Sequence, residues 1–211
     1  MANITAAMVK ELREKTSAGM LDCKKALAAT EGDMEAAVTW LRERGIAKAV
    51  TKEGAVAAEG LCYYAVNGNS CVTFELNSQT DFVAQNAKFV ALLEQVAEII
   101  LNSSANNTEE ALNVEVEGKT LATIILEASG VIGEKISLRR VSRITKADNE
   151  VFGAYKHMGG KIVTITIVEG EDEAVAKDVA MHVAAMYHKY LSKDEIPAEV
   201  IEAERELILA V

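Results

Sequence analysis

Leu61-Cys62-Tyr63-Tyr64-Ala65-Val66-Asn67-Gly68-Asn69-Ser70-Cys71-Val72-Thr73-Phe74-Glu75-Leu76 alternates in character on both sides of an Asn-Gly-Asn turn. Alternation at a period of two is the mark of a strand, and Asn-Gly supplies the positive φ that a tight hairpin needs. The stretch predicts two antiparallel strands, 61–66 and 70–76. With Gly68-Asn69 as the two-residue turn, Leu61, Tyr63, Ala65, Val72, Phe74 and Leu76 share the core-facing side. In that register Cys71 faces Val66 and Cys62 faces Glu75.

Downstream lies Asn77-Ser78-Gln79-Thr80-Asp81-Phe82-Val83-Ala84-Gln85-Asn86, followed by a strong helical stripe, so a helix is predicted from Asp81 to Leu101. Asp81 suits the positive end of the helix dipole. Phe82 has two readings: it tucks inward as core, or it projects outward and fills a pocket on a partner. Further on, Val151 to Met158 and Lys161 to Val168 form a second strand pair around Gly159-Gly160, with a helix from about Asp172 to Tyr187. Hairpin followed by helix therefore occurs twice. Between the copies lie a polar loop, Asn102 to Thr108, an apolar helical segment near Leu121 to Leu126 and a strand near Lys135 to Ile144.

Upstream, residues 4–45 read as three short helices. Ile4, Met8, Val9 and Leu12 make one stripe, and Thr16-Ser17-Ala18-Gly19 interrupts it. Met20, Cys23, Ala26 and Leu27 make a second. Asp33 is the N-cap of a third, holding Ala37, Trp40 and Leu41, with Gly45 as its stop. Ala47 to Gly60 lacks an apolar stripe and reads as a partly helical linker. Pro197 starts a last helix. The expected division is a three-helix module (1–46), a linker (47–60), a core (61–196, halves meeting near 130) and a C-terminal helix (197–211). Hairpins followed by helices make the fold class α+β with mainly antiparallel sheet.

The 211 residues are 50% apolar, enough for a packed core, and carry a formal net charge of −10. That charge disfavours nucleic acid, which demands a basic footprint. No apolar run approaches the roughly 18 residues of a membrane span, and no signal or transit pattern opens the chain. The default expectation is a cytoplasmic protein. Cys23, Cys62 and Cys71 are odd in number and irregular in spacing, which predicts thiols rather than a disulfide framework. No Walker loop, dinucleotide fingerprint or Gly-x-Ser-x-Gly elbow is present, and Gly130-Val131-Ile132-Gly133 reads as a turn. His182 and His188, six apart on one predicted helix, point to different faces and make poor joint metal ligands. No nucleophile, base and oxyanion site assemble, so no covalent chemistry, cofactor or metal is expected.

Four stretches carry a resemblance: Val9-Lys10-Glu11-Leu12-Arg13-Glu14-Lys15-Thr16-Ser17-Ala18-Gly19-Met20-Leu21-Asp22-Cys23-Lys24-Lys25-Ala26-Leu27, Gln79-Thr80-Asp81-Phe82-Val83-Ala84, Gly133-Glu134-Lys135-Ile136-Ser137-Leu138-Arg139-Arg140 and Met181-His182-Val183-Ala184-Ala185. In these the chain resembles the translation elongation factor Ts family, guanine nucleotide exchange factors of elongation factor Tu, from Ile4 to about Ile201. The resemblance implies a ubiquitin-associated-like (UBA-like) N-terminal module and a core of duplicated hairpin–helix units. It also implies that Asp81 and Phe82, with Thr80 and Val83 beside them, enter the partner's nucleotide-binding domain near its magnesium site. Arg13, Met20 and Leu21 are implied to contact the same domain, and His157 to face another. Longer family members continue past the point where this chain stops, and a 2:2 assembly is an arrangement open to short ones.

The mechanism so implied is a wedge. A ring that shifts the helices shaping a nucleotide pocket disturbs magnesium coordination and phosphate contacts together, and the factor and GDP then weaken each other equally. Such a factor binds both GDP-bound and nucleotide-free elongation factor Tu. Two other classes stay open: a UBA-like adaptor that binds without accelerating exchange, and a small enzyme using Asp81 and His157.

Overall fold

The computed structural model describes residues 4–16, 18–52 and 54–210. Ser17 of the expected interruption, and the first three and last residues of the expected domains, lie outside these. Three helices open the chain: α1 (Ala6–Thr16), α2 (Met20–Ala29) and α3 (Met34–Val50). Val9, Leu12, Cys23, Ala26, Leu27 and Ala37 close a small core between them. Asp33 caps α3 as expected, its carboxylate accepting the Ala36 amide at 2.9 Å. The helix does not stop at Gly45 but runs on to Val50. Glycine is only a weak breaker inside a helix, and here its bare backbone is used for packing.

The predicted hairpin is β1 (Glu59–Asn67) and β2 (Ser70–Ser78). Its register is as read, with Val66 opposite Cys71 and Cys62 opposite Glu75. Gly68 supplies the positive φ of the turn. Val72, Phe74 and Leu76 are buried, with Leu61, Tyr63 and Ala65 packed beside them.

The helix expected over 81–101 is two. A single turn, α4 (Asp81–Ala84), is separated from α5 (Ala87–Leu101) by Gln85 and Asn86. Asn86 is extended (φ −72°, ψ 136°) and its side chain accepts the Lys88 amide at 2.9 Å. An Asn whose side chain caps the following turn competes with helix continuation, and this one wins. In α5, Phe89, Leu92, Leu93, Val96, Ala97, Ile99 and Ile100 are buried against the sheet.

The loop after α5 holds two short elements that periodicity did not reveal: α6 (Thr108–Leu112), and a minimal hairpin of β3 (Glu115–Val116) and β4 (Lys119–Thr120). Helix α7 (Leu121–Ile132) then ends on Gly133, which is left-handed at φ 90°. Strand β5 (Ser137–Thr145) pairs antiparallel with β2, giving the sheet order β1-β2-β5. From β5, Arg143 donates to the carbonyls of Ile100 (2.6 Å) and Ser103 (2.9 Å), satisfying acceptors at the end of α5.

The second unit is β6 (Glu150–His157) and β7 (Ile162–Glu169), an antiparallel pair separate from the first sheet, with α8 (Glu173–Met186) packed on it. A Cβ on Gly153 of β6 would lie 1.8 Å from the Ala176 carbonyl oxygen, so only glycine lets α8 approach so closely. Helix α9 (Ala198–Leu209) follows Pro197 and has no buried residue. The fold is α+β, and all its strand pairs among the described residues are antiparallel.

Candidate partner-binding site

Where β2 ends, the chain turns a corner into α4. Thr80 is extended (φ −125°, ψ 154°) and its hydroxyl oxygen accepts the Val83 amide at 3.4 Å. Ser78 Oγ donates to the Thr80 carbonyl at 2.9 Å. Across the corner lies Glu134, just past the left-handed Gly133. One carboxylate oxygen accepts the amides of Gln79 (3.1 Å) and Thr80 (3.0 Å), and the other accepts the Thr80 hydroxyl at 2.7 Å. The Lys135 amide donates back to Gln79 Oε1 at 2.9 Å.

The single turn of α4 then divides its four side chains. Ala84 is buried in the main core and Val83 packs half-buried against it. Asp81 and Phe82 face outward, and Phe82 is 83% exposed. The choice left open by the sequence, core or projection, is thus settled for projection. A free benzyl group normally loses about 1.5–3 kcal/mol by staying in water rather than in a core. It stays exposed on a corner that the Glu134 carboxylate braces.

The other implied positions are spread over the molecule. Met20 and Leu21, in the first turn of α2, are 57% and 66% exposed. With Ile4, Thr5, Ala6, Val9 and Lys24 they line a shallow apolar groove of about 430 Å³. Met20 therefore does not join the module's core as its stripe predicts. Arg13 is exposed on α1, outside that groove. His157 is exposed at the end of β6, its Nδ1 3.1 Å from the Tyr155 hydroxyl. The tip beyond it, Met158 to Gly160, folds back toward β1: a Cβ on Gly160 would meet the Cys62 carbonyl at 2.8 Å. Lys161 pairs with Glu59 at 2.7 Å on the same side.

All three thiols are free, with Cys23 and Cys71 buried and Cys62 half-buried. Burial pushes the Cys71 thiol up to about 11; burial and then the Glu75 carboxylate raise that of Cys62. Glu75 itself is buried on β2 and bound by Arg139 (3.0 Å), Arg140 (2.6 Å) and Asn77 (2.9 Å). His182 and His188 do not sit on different faces of one helix. Helix α8 ends at Met186, Tyr187 is left-handed (φ 55°), and the reversal brings the two rings to 5.2 Å. Among the described residues no three His, Cys, Asp or Glu side chains gather as a metal site.

The sequence profile of one family, Elongation factor TS, matches residues 79–211. That match begins at the corner which carries Phe82. The chain belongs to the elongation factor Ts family. Its relatives include an Elongation factor Ts of Acholeplasma laidlawii (strain PG-8A), 53% identical over 206 residues, covering 97% of this chain and 70% of the relative. A second, from Pediococcus pentosaceus, is 51% identical over 208 residues, covering 99% of this chain and 71% of its own. Membership makes this a translation elongation factor. No described helix is long and apolar enough to cross a membrane.

Glu134 lies in one of the four stretches that carry the family resemblance, but nothing in the chain assigns it a role. It lies 54 and 55 residues from the amides it binds, and neither that stretch nor its place after a helix-ending glycine shows what it binds.

Proposed function

We propose that this chain is a guanine nucleotide exchange factor for elongation factor Tu, and that Asp81 and Phe82 are the part that opens the nucleotide site. The observation that carries this reading is Phe82: a large ring, 83% exposed, on a one-turn helix whose last two residues, Val83 and Ala84, pack into the core. Family membership supports the choice of partner. Arg13, Met20 and Leu21 form the accompanying contact on the partner's nucleotide-binding domain, His157 meets a second domain, and Thr80 and Val83 hold the projection from beneath. Residues 1–46 act as the UBA-like module and 61–196 as the core.

The mechanism needs no bond to be made or broken. Docking places the Phe82 ring between partner helices, and the movement that admits it loosens the cradle of backbone amides, lysine and magnesium that grips a nucleotide diphosphate. Asp81, beside the ring, adds negative charge near the magnesium and phosphates. Because the coupling is reciprocal, GDP must weaken the factor as much as the factor weakens GDP.

The test is GDP release from elongation factor Tu, followed with a fluorescent GDP analogue at saturating factor. Phe82→Ala removes apolar contact worth about 2 kcal/mol, so release should slow about 30-fold. An unchanged rate would sink the wedge. Tight binding to elongation factor Tu without faster GDP release by the unaltered chain would establish the adaptor instead.

A further inference from the structure

We propose that Glu134 is a positioning residue for exchange: its carboxylate locks the corner at Gln79 and Thr80 so that Phe82 is presented as a stiff probe. This rests on the exchange reading of Phe82 and adds to it a residue that need not touch the partner.

Within the corner itself Ser78 Oγ donates to the Thr80 carbonyl and the Thr80 hydroxyl accepts the Val83 amide, and neither bond engages the Gln79 or Thr80 amide. Strand pairing ends at Ser78, opposite Glu59. The next ordered element, α4, is four residues long, and a single helical turn fixes many dihedrals for few hydrogen bonds. Between the two, the amides of Gln79 and Thr80 have no strand or helix partner. Glu134 takes both on one oxygen and the Thr80 hydroxyl on the other. Hydrogen bonds to a carboxylate are about twice as strong as neutral ones. The Thr80 hydroxyl, held this way, is also the group that caps α4 through the Val83 amide.

The clamp is itself anchored. Gly133, in the left-handed region at φ 90°, ends α7 and turns the chain back toward the corner. The Glu134 carbonyl accepts the Ser129 hydroxyl, and Ser129 Oγ accepts the Ile136 amide at 3.3 Å. Gln79 returns the contact by accepting the Lys135 amide. The two segments are thus joined by bonds running in both directions. Phe82 inherits this stiffness, and a side chain ordered before docking loses less freedom on docking.

The experiment combines a double-mutant cycle with hydrogen exchange. GDP release from elongation factor Tu at saturating factor is compared for the unaltered chain, Glu134→Ala, Phe82→Ala and the double variant. Glu134→Ala should slow release about tenfold, since ordering one side chain on docking is worth about that factor. In the Phe82→Ala background the same change should have less than a twofold effect, because nothing is left to position. Equal losses in both backgrounds would show a general structural role and overturn the proposal, as would an unchanged rate. Thr80→Val, which removes the hydroxyl bond to Glu134 together with the cap on the Val83 amide but leaves both amide bonds in place, should also slow release, with the same dependence on Phe82. Independently, the Gln79 and Thr80 amides of the free protein should exchange at least about tenfold faster in Glu134→Ala, with α5 unchanged; unaltered exchange at the corner refutes the clamp. If Phe82→Ala alone releases GDP at the normal rate while the corner loosens as expected, the exchange reading has failed and the clamp is architecture only.

Discussion

Helices α3 and α7 touch through two glycines, and the contact is lopsided. A Cβ built on Gly130 would lie 2.4 Å from the Gly45 carbonyl oxygen, 2.5 Å from its carbon and 2.8 Å from its Cα. These are backbone atoms of a helix, so no rotamer change relieves them. Reaching ordinary contact needs the helices to part by about 1 Å, and overpacking of this kind costs about 1–3 kcal/mol. A Cβ on Gly45 meets only the Gly130 Cα and C, each at 3.8 Å, which is ordinary contact. Alanine in place of helical glycine otherwise gains about 1 kcal/mol. Gly45→Ala should therefore stabilise the protein, while Gly130→Ala should spend its helix gain on the clash and end below it. The expected gap between the two is about 1–3 kcal/mol, or several degrees in Tm for a chain of this size. Trp40, the only tryptophan, lies on α3 and lines the cleft shared with Arg42, Glu127 and Gly130. Its fluorescence through urea and thermal unfolding reports the effect directly. If Gly130→Ala proved as stable as Gly45→Ala, the close approach and the reasoning built on it would be wrong.

Other expectations follow from single groups. Asp81→Ala should slow GDP release less than Phe82→Ala, since it removes charge but no buried area; a larger loss would move the main work from the ring to the acid. Burial acts to raise the Glu75 pKa, but hydrogen bonds from Asn77, Arg140 and Arg139 overcome it and hold the carboxyl below its ordinary value. The stability it contributes is complete above the unfolded value of about 4.3 and disappears as pH falls through the lower folded value. Glu75→Gln should accordingly lower the urea midpoint at pH 7 and flatten its fall below pH ~4.3; an unaltered acid limb would contradict this. Alkylation followed by mass spectrometry should label Cys62 before Cys23 and Cys71, because only Cys62 is half-exposed. Asn86→Ala removes the cap of α5 and should cost about 1 kcal/mol in chemical unfolding; no loss would mean that α4 and α5 fuse without penalty.

The parts of this fold that were legible in the chain are those with a strong period. The first hairpin, with its register, needed only alternation and an Asn-Gly turn. Asp33 and Pro197 marked helix starts through well-defined local chemistry. What was not legible depends on neighbours distant in sequence. Gly45 looked like a stop because nothing nearby shows the Gly130 backbone waiting for it. The break at Gln85 and Asn86 was hidden because apolar periodicity resumes in phase with a helix on both sides. His182 and His188 were separated on paper by a helix that in fact ends at a left-handed Tyr187, a conformation no β-carbon-bearing residue advertises. For the site, the family motif pointed to Asp81 and Phe82, and the structure adds that the ring is exposed. Glu134 sits in a family stretch, yet its role stayed hidden because a carboxylate that binds backbone amides imposes no pattern on the residues it binds.

The segment from Ser129 to Lys135, expected as a turn over 130–133 but in fact the last turn of α7 and the chain just past it, meets three parts of the molecule. Gly130 receives α3, the Gly133 carbonyl accepts Lys52 Nζ from just beyond that helix, and Glu134 grips the corner before Phe82. The groove at Met20 and Leu21 and the ring of Phe82 are therefore spaced through this helix end rather than through the connecting chain at 54–58. Loop length and docking geometry are decoupled. Residues inserted at 54–58 should leave the span between the Met20–Leu21 groove and Phe82 as it is, while one residue added between 129 and 135 would reset it like a misadjusted caliper.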